Sequence, residues 1–255
     1  MKDLCDTINT KNYEEYYHDA LQLKDELQIQ FNLGLVSLED RAKGDVLFWE
    51  ICHRALREAE EDSFSDEEFE QLKSSLAQKY LCNFSLFRSA PDSWAIRQLF
   101  PILPIHRLNE KLTDYATLVD VTCDSDGKVD RFVDIKDVKH TLELHNWKPE
   151  QAYYLGMFLV GAYQEVMGSH HNLFGHPYEA HIAIENDGRF HVTRIVQGSC
   201  INDMMQFAKY EPTQLVESYR KQLNAQVIAG AMTEEAAKQL VKQYESVASK
   251  STYLD

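Results

Sequence analysis

A thiol followed at once by acids is the part of this chain with chemistry to offer. In the stretch LVDVTCDSDGKVDRF, Leu118 to Phe132, Cys123 follows a β-branched run and precedes Asp124, Ser125, Asp126 and Gly127. Carboxylates beside a cysteine disfavour its thiolate unless a substrate or partner brings in a cation, so the group suits giving a proton better than resting as a nucleophile. The same residues allow a plain structural role. Cys123 is then a small buried hydrophobe at a strand end, and Asp124 to Gly127 form a hairpin turn. The D-x-D-G spacing is shared with calcium loops, but the later ligands, including a bidentate Glu at the twelfth loop position, are missing.

Other chemistry-bearing residues carry weaker signals. His170, His171, His176, His181 and His191 stand at irregular spacing without an HExxH motif or paired cysteines, which reads as surface or hydrogen-bonding histidines and no metal site. Gly156 and Gly161 in LGMFLVGAYQE are five apart, unlike a GxGxxG phosphate loop, and read as a core strand with a close backbone approach. The five cysteines are odd in number and far apart with no CxxC, so each reads as a free thiol.

Composition bounds what can position these groups. The chain has 255 residues, 44% of them hydrophobic, enough for a real core in one or two domains. A formal charge of -15 argues against nucleic acid and anionic membrane surfaces as partners and favours cationic ligands wherever the acids converge. No run approaches the ~18 apolar residues of a membrane span, and the first residues lack a signal-peptide core, so a cytoplasmic location is expected.

Residues 1 to about 80 read as three helices. Tyr16, Ala20, Leu23, Leu27 and Phe31 recur at helical spacing, Gly34 offers a stop and Ser37 the next cap. Leu38, Ala42, Val46, Trp49, His53 and Leu56 mark the face of a second helix. A capping box from Ser65 to Glu68 opens a third, with Phe69, Leu72, Leu76 and Tyr80 on one side. This zone holds 19 acids against nine Lys and Arg, and its EAEEDSFSDEEFE run reads as a solvated turn. From 82 to about 200 short β-rich runs follow: NFSLF, ATLVDVTC, KVDRFVDI, YYLGMFLVGAY, EAHIAIE and FHVTRIV, the last two joined by a hairpin turn at Asp187 and Gly188. Helices return from about 202, with Pro212 near one start and Thr233 capping another.

The segments VDVTCDSDGKVDRF, YYLGMFLVGAYQE, HNLFG, NFSLFRSAPDSWAIRQLFPILPIHRL and STYLD, in that family's order, together with YYHDALQLKDELQIQFNLGLVSLEDRAKGDVLFWEICH, resemble the biosynthetic arginine decarboxylases. These are pyridoxal-phosphate enzymes of the alanine-racemase-like fold. The resemblance covers the C-terminal part of a family chain and implies an α+β architecture. Its parts are an N-terminal helical bundle over 1–80, a Greek-key-type β-domain (barrel or sandwich) over 81–201, and a C-terminal helical segment over 202–255. The (β/α)8 barrel that holds the cofactor is expected to be absent: such a barrel takes ~250 residues, and the β-rich zone is about half that, without alternating helices.

What the resemblance implies for the site is specific. In this family a barrel holds pyridoxal phosphate through a lysine while the β-domain of another subunit supplies a cysteine and acids. Cys123 matches that cysteine, with the implied role of protonating the α-carbon of L-arginine after carbon dioxide leaves, giving agmatine. Asp124 and Asp126 would face the substrate guanidinium, Tyr163 of GAYQE would contact the cofactor phosphate, and Asn172 and Phe174 of HNLFG would line the pocket. The implied partners are L-arginine and a barrel from the same enzyme or a partner subunit in a homo-oligomer, with Mg2+ as a further family cofactor. The competing class is a non-catalytic binding or regulatory module that keeps the dimer surface. A sister decarboxylase acting on ornithine or diaminopimelate fits the helical insertion and CDSDGK less well. One departure stands out: family members usually read WAIDQLFP, and this chain reads WAIRQLFP, with Arg97 where the resemblance puts an acid facing the substrate's distal cation.

Overall fold

The computed structural model describes residues 1–61, 67–135 and 137–254. Ser65, and with it the capping box and the centre of the acidic run, lies outside them, and the run's two described ends are helical. The chain is α+β and divides into two compact units, one of Met1–Lys79, Leu103–Thr117 and Asp130–Gly156, the other of Tyr80–Ile102, Leu118–Val129 and Met157–Asp255.

The first unit is built on helices Lys2–Thr7, Tyr13–Asn32, Leu38–Glu61 and Glu67–Leu76. The second of these stops where Gly34 enters the left-handed region (φ 73°), which lets the Leu35 N–H turn back to the Gln30 carbonyl at 2.9 Å. Ser37 then caps the next helix through the Asp40 N–H at 3.1 Å. The core joins Tyr13, Tyr17 and Ala20 to Phe48, Ile51, Cys52, Ala55 and Ala59 and to Phe69 and Leu72. Tyr13 meets Phe69 edge-on, ring centroids 5.3 Å apart.

The inward face of Leu38–Glu61 is therefore offset from the periodicity of Leu38, Val46 and Trp49, all of which are exposed. Two apolar stripes share that helix. The aromatic cluster of Tyr13, Tyr17 and Phe69 takes the one carrying Phe48 and the small Ala55 and Ala59, which admit close helix approach.

The strands form small antiparallel sheets. In the first unit Asp114 and Ala116 pair with Leu144 and Leu142, and Phe132–Val133 pairs with Val138–Lys139. In the second, Leu118 and Val119 pair with Val129 and Lys128, and Glu179–Ile184 forms a hairpin with Phe190–Val196. Its turn closes through Gly188 N–H to the Glu185 carbonyl at 3.0 Å. A bulge between Val192 and Arg194 keeps Ile182 opposite Val192 and Ala180 opposite Ile195, so one face of the hairpin is apolar throughout.

Two expected strands differ. NFSLF turns into the short helix Leu86–Ser89 because the Ser85 hydroxyl accepts the Arg88 N–H, and YYLGMFLVGAY keeps only Leu155–Met157 extended before helix Ala162–Met167. Local capping overrides β propensity in the first case. Helices Ile201–Phe207, Pro212–Ile228 and Glu234–Ala248 complete the second unit, with Pro212 in the first turn of one and the Thr233 hydroxyl accepting the Ala236 N–H at the start of another. No eight-stranded parallel barrel occurs among the described residues, and none of their helices is long and apolar enough to cross a membrane.

Candidate active-site segment

The loop bearing Cys123 is organised by one buried acid. Asp120 is only 3% exposed, and its carboxylate accepts three hydrogen bonds: from the Thr122 N–H (2.8 Å), the Thr122 hydroxyl (2.7 Å) and the Leu86 N–H (2.8 Å). A buried carboxylate needs such donors. Its backbone N–H donates to the Gly127 carbonyl at 2.8 Å, closing the loop, and a Cβ on Gly127 would lie 2.2 Å from Asp120 Oδ1. Gly127 is thus required by close approach. Asp120→Asn puts an amide N–H against one of these donors. It is expected to cost the folded chain about 1–3 kcal/mol, read as a lower urea midpoint with unchanged slope.

Within the loop, the Asp126 N–H donates to Asp124 Oδ1 at 2.9 Å, an Asx turn that turns Cys123, Asp124 and Asp126 outward; all three are exposed. Cys123 lies four residues beyond Val119 of the last strand pair. It is not a buried strand-end hydrophobe.

The one-turn 3₁₀ segment His171–Leu173 meets this loop. The Cys123 N–H donates to Asn172 Oδ1 at 3.1 Å, and Cys123 Sγ lies 3.5 Å from the same oxygen. A backbone N–H can only donate, so the amide atom facing it must be oxygen, and the thiol is then the donor in its own contact. His171 Nε2 lies 3.9 Å from Asp124 Oδ2, its ring packed on Phe87 at 4.5 Å between centroids. Asn172 thus hydrogen-bonds to Cys123, while His171 lies near Asp124 without a hydrogen bond to it.

The other expected site residues, Phe174 and Tyr163, take no part in this contact among the described residues. Phe174 stacks on Tyr253 (5.3 Å, 30°), which makes it a support of the turn. Tyr163 is 79% exposed on Ala162–Met167 and makes none of these contacts among the described residues. Its neighbour Gln164 is buried, exchanging hydrogen bonds with Asp92 at 2.5 and 3.0 Å. Beside that helix lies a cavity of about 290 Å3 lined by Arg88, His176, Glu165 and Gly161. Arg88, buried, donates to the Gly168 carbonyl at 2.7 Å and to the His176 ring. Burial first, then the nearby Arg88 charge, lowers the His176 pKa and favours the neutral ring that accepts this bond. Among the described residues no cluster of His, Cys, Asp and Glu could hold a metal ion.

Asp120, Arg88, His171 and Tyr253 carry this geometry, and although all four lie inside the segments quoted above, none is singled out there as a site residue. The available signals were an acid inside a β-branched run and a lone cation in an apolar one.

Residues 1–73 match the family model described as the arginine decarboxylase helical bundle domain, and residues 201–254 the arginine decarboxylase C-terminal helical extension. A biosynthetic arginine decarboxylase of Deinococcus radiodurans is 44% identical over 255 residues, 100% of this chain and 38% of the relative. One from Nostoc sp. is 43% identical over 249 residues, 98% of this chain and 36% of the relative. Over its whole length the chain matches a partial segment of biosynthetic arginine decarboxylases, one that includes their helical bundle and C-terminal extension. It spans about two fifths of the length of the curated relatives it matches. The crystal structure of the biosynthetic arginine decarboxylase of Campylobacter jejuni superposes with a TM-score of 0.77 at 33% identity, covering 100% of this chain and 39% of that one. The described residues do not by themselves fit the pyridoxal phosphate of those enzymes. That group needs an enclosed lysine for its Schiff base, and every lysine among the described residues is exposed or half-buried.

Proposed function

We propose that this chain supplies the proton-donor side of an arginine decarboxylase site whose cofactor is held by a barrel elsewhere. The reaction is L-arginine to agmatine and carbon dioxide, and the barrel belongs to the same enzyme or to a partner subunit of a homo-oligomer. The observation that carries this reading is the exposed neighbouring pair Cys123 and Asp124, the first held through its N–H by Asn172 and the second ordered by the Asx turn to Asp126, with His171 3.9 Å away. Cys123 Sγ delivers a proton to the substrate α-carbon. Asp124 receives the guanidinium, for which a carboxylate offers bidentate pairing, and Asp126 adds negative charge beside it. Tyr163, exposed, is free to reach a phosphate on the barrel. In this reading 1–80 is the inserted bundle, 81–201 the domain bearing the donor loop and 202–255 the segment that braces it.

The chain alone is expected to titrate with pyridoxal phosphate without a stoichiometric visible absorbance band. A one-to-one band abolished by replacing a single lysine would show a complete cofactor site here and end the proposal. Mixing the chain with a matching barrel should restore agmatine release. Stable assembly with no release, from two folded parts, would instead favour a binding or regulatory module.

A further inference from the structure

The turn that holds Cys123 is itself under strain. Asn172 and Leu173 both have left-handed backbones, with φ of 54° and 60°, a conformation costly for a leucine and kept only where surrounding contacts enforce it. Those contacts come from a distant piece of chain, Ser251–Leu254. The Gly175 N–H donates to Thr252 Oγ1 at 3.0 Å, and the Tyr253 hydroxyl donates to the Gly175 carbonyl at 2.8 Å, so both backbone groups of Gly175 are taken. The Tyr253 ring stacks on Phe174, and Asn83 clasps Leu254 through both its amide atoms, at 2.7 and 2.9 Å.

The geometry points to Tyr253 as a positioning residue: by gripping Phe174 and Gly175 it holds Asn172 in the left-handed conformation that presents its amide oxygen to Cys123. The link runs from Tyr253 to Phe174 and Gly175, along the backbone to Asn172, and from Asn172 to Cys123. Burial pushes the Tyr253 phenol up to about 12, so it remains a donor throughout the working pH range. The catalytic consequence rests on the reading of Cys123 as proton donor; the mechanical link does not.

The test uses iodoacetamide on the full chain, with each cysteine followed by peptide mapping. Cys123 is exposed while Cys5 and Cys52 are buried, and burial pushes the Cys52 and Cys82 thiols up to about 11, so Cys123 labels first. Tyr253→Phe is expected to raise the Cys123 rate by roughly threefold or more as the turn loosens, with Cys5 and Cys52 still protected. Asn172→Gly, which keeps the left-handed backbone and removes the amide, should raise it as much. The double variant should add nothing further, because the two changes act on one link. An unchanged Cys123 rate in Tyr253→Phe, additive effects in the double variant, or all thiols opening together would overturn the inference. In the assembled enzyme Tyr253→Phe should lower kcat with KM for arginine little changed. If labelling follows the expectation yet Cys123→Ala keeps full turnover, the catalytic reading fails and the positioning link stands.

Discussion

In an enzyme assembled from this chain and a matching barrel, Cys123→Ala will lower turnover by about a hundredfold and leave the Michaelis constant for arginine within about twofold, the signature of a proton donor used after binding. Alanine removes only Sγ. The Asn172 amide keeps its backbone partner, the Cys123 N–H, and the Asx turn at Asp124 is untouched, so the loop should hold its shape. The measurement is agmatine formation at saturating and limiting arginine, with product composition, on preparations matched by circular dichroism and by assembly. Loss of a positioned donor should also raise the share of misprotonated side product. Full activity with an unchanged product ratio would make Cys123 structural and remove the central residue of the proposed site.

The local features of this fold were legible because they depend on neighbours in sequence. Gly34 and Ser37 mark a helix stop and start, Pro212 and Thr233 mark two more starts, and the alternation around Gly188 marks a hairpin; each needs only a few adjacent residues to act. The inward face of Leu38–Glu61 was not legible, since Val46 and Trp49 are as periodic as Phe48 and Cys52 and only the aromatic cluster on other helices decides between them. In the candidate site Cys123 and Asp124 were visible as residue types, whereas their support was not. Asp120 looks like one more acid in an acidic stretch until Leu86 and Thr122 are seen to donate to it. His171 and Tyr253 become meaningful only through contacts made across long intervals of chain.

Arg97→Asp is expected to raise agmatine formation at limiting arginine several-fold, chiefly through KM. The resemblance places an acid at this position against the substrate's distal cation, and this chain carries the opposite charge. Two cations about 5 Å apart repel by about 3 kcal/mol at an effective dielectric near 20, falling toward about 1 kcal/mol when solvent screens them; that is a factor of roughly five to a hundred in affinity. Arg97 is exposed, and the Asp92 carboxylate accepts from Gln164. The backbone supports the substitution as well. With φ at 58°, Arg97 occupies the left-handed region in which Asp is several-fold enriched among residues other than glycine, so folding should not suffer. Rates over a range of arginine concentrations, for both versions assembled to the same extent, decide the matter. Identical curves would place the WAIRQLFP segment outside the substrate pocket.

The clasp between Asn83 and Leu254 joins positions 171 residues apart. Closing a loop of that length costs roughly 4–5 kcal/mol of chain entropy before any contact offsets it. Helices and the hairpin form from near neighbours, so they can precede this closure by a wide interval. During refolding the helical circular dichroism signal should therefore return before the slow iodoacetamide reaction of Cys123. For that interval the molecule is folded by spectroscopy while the turn against Cys123 is still unbraced, and the bracing is set by the clock of one long-range closure rather than by the formation of its elements.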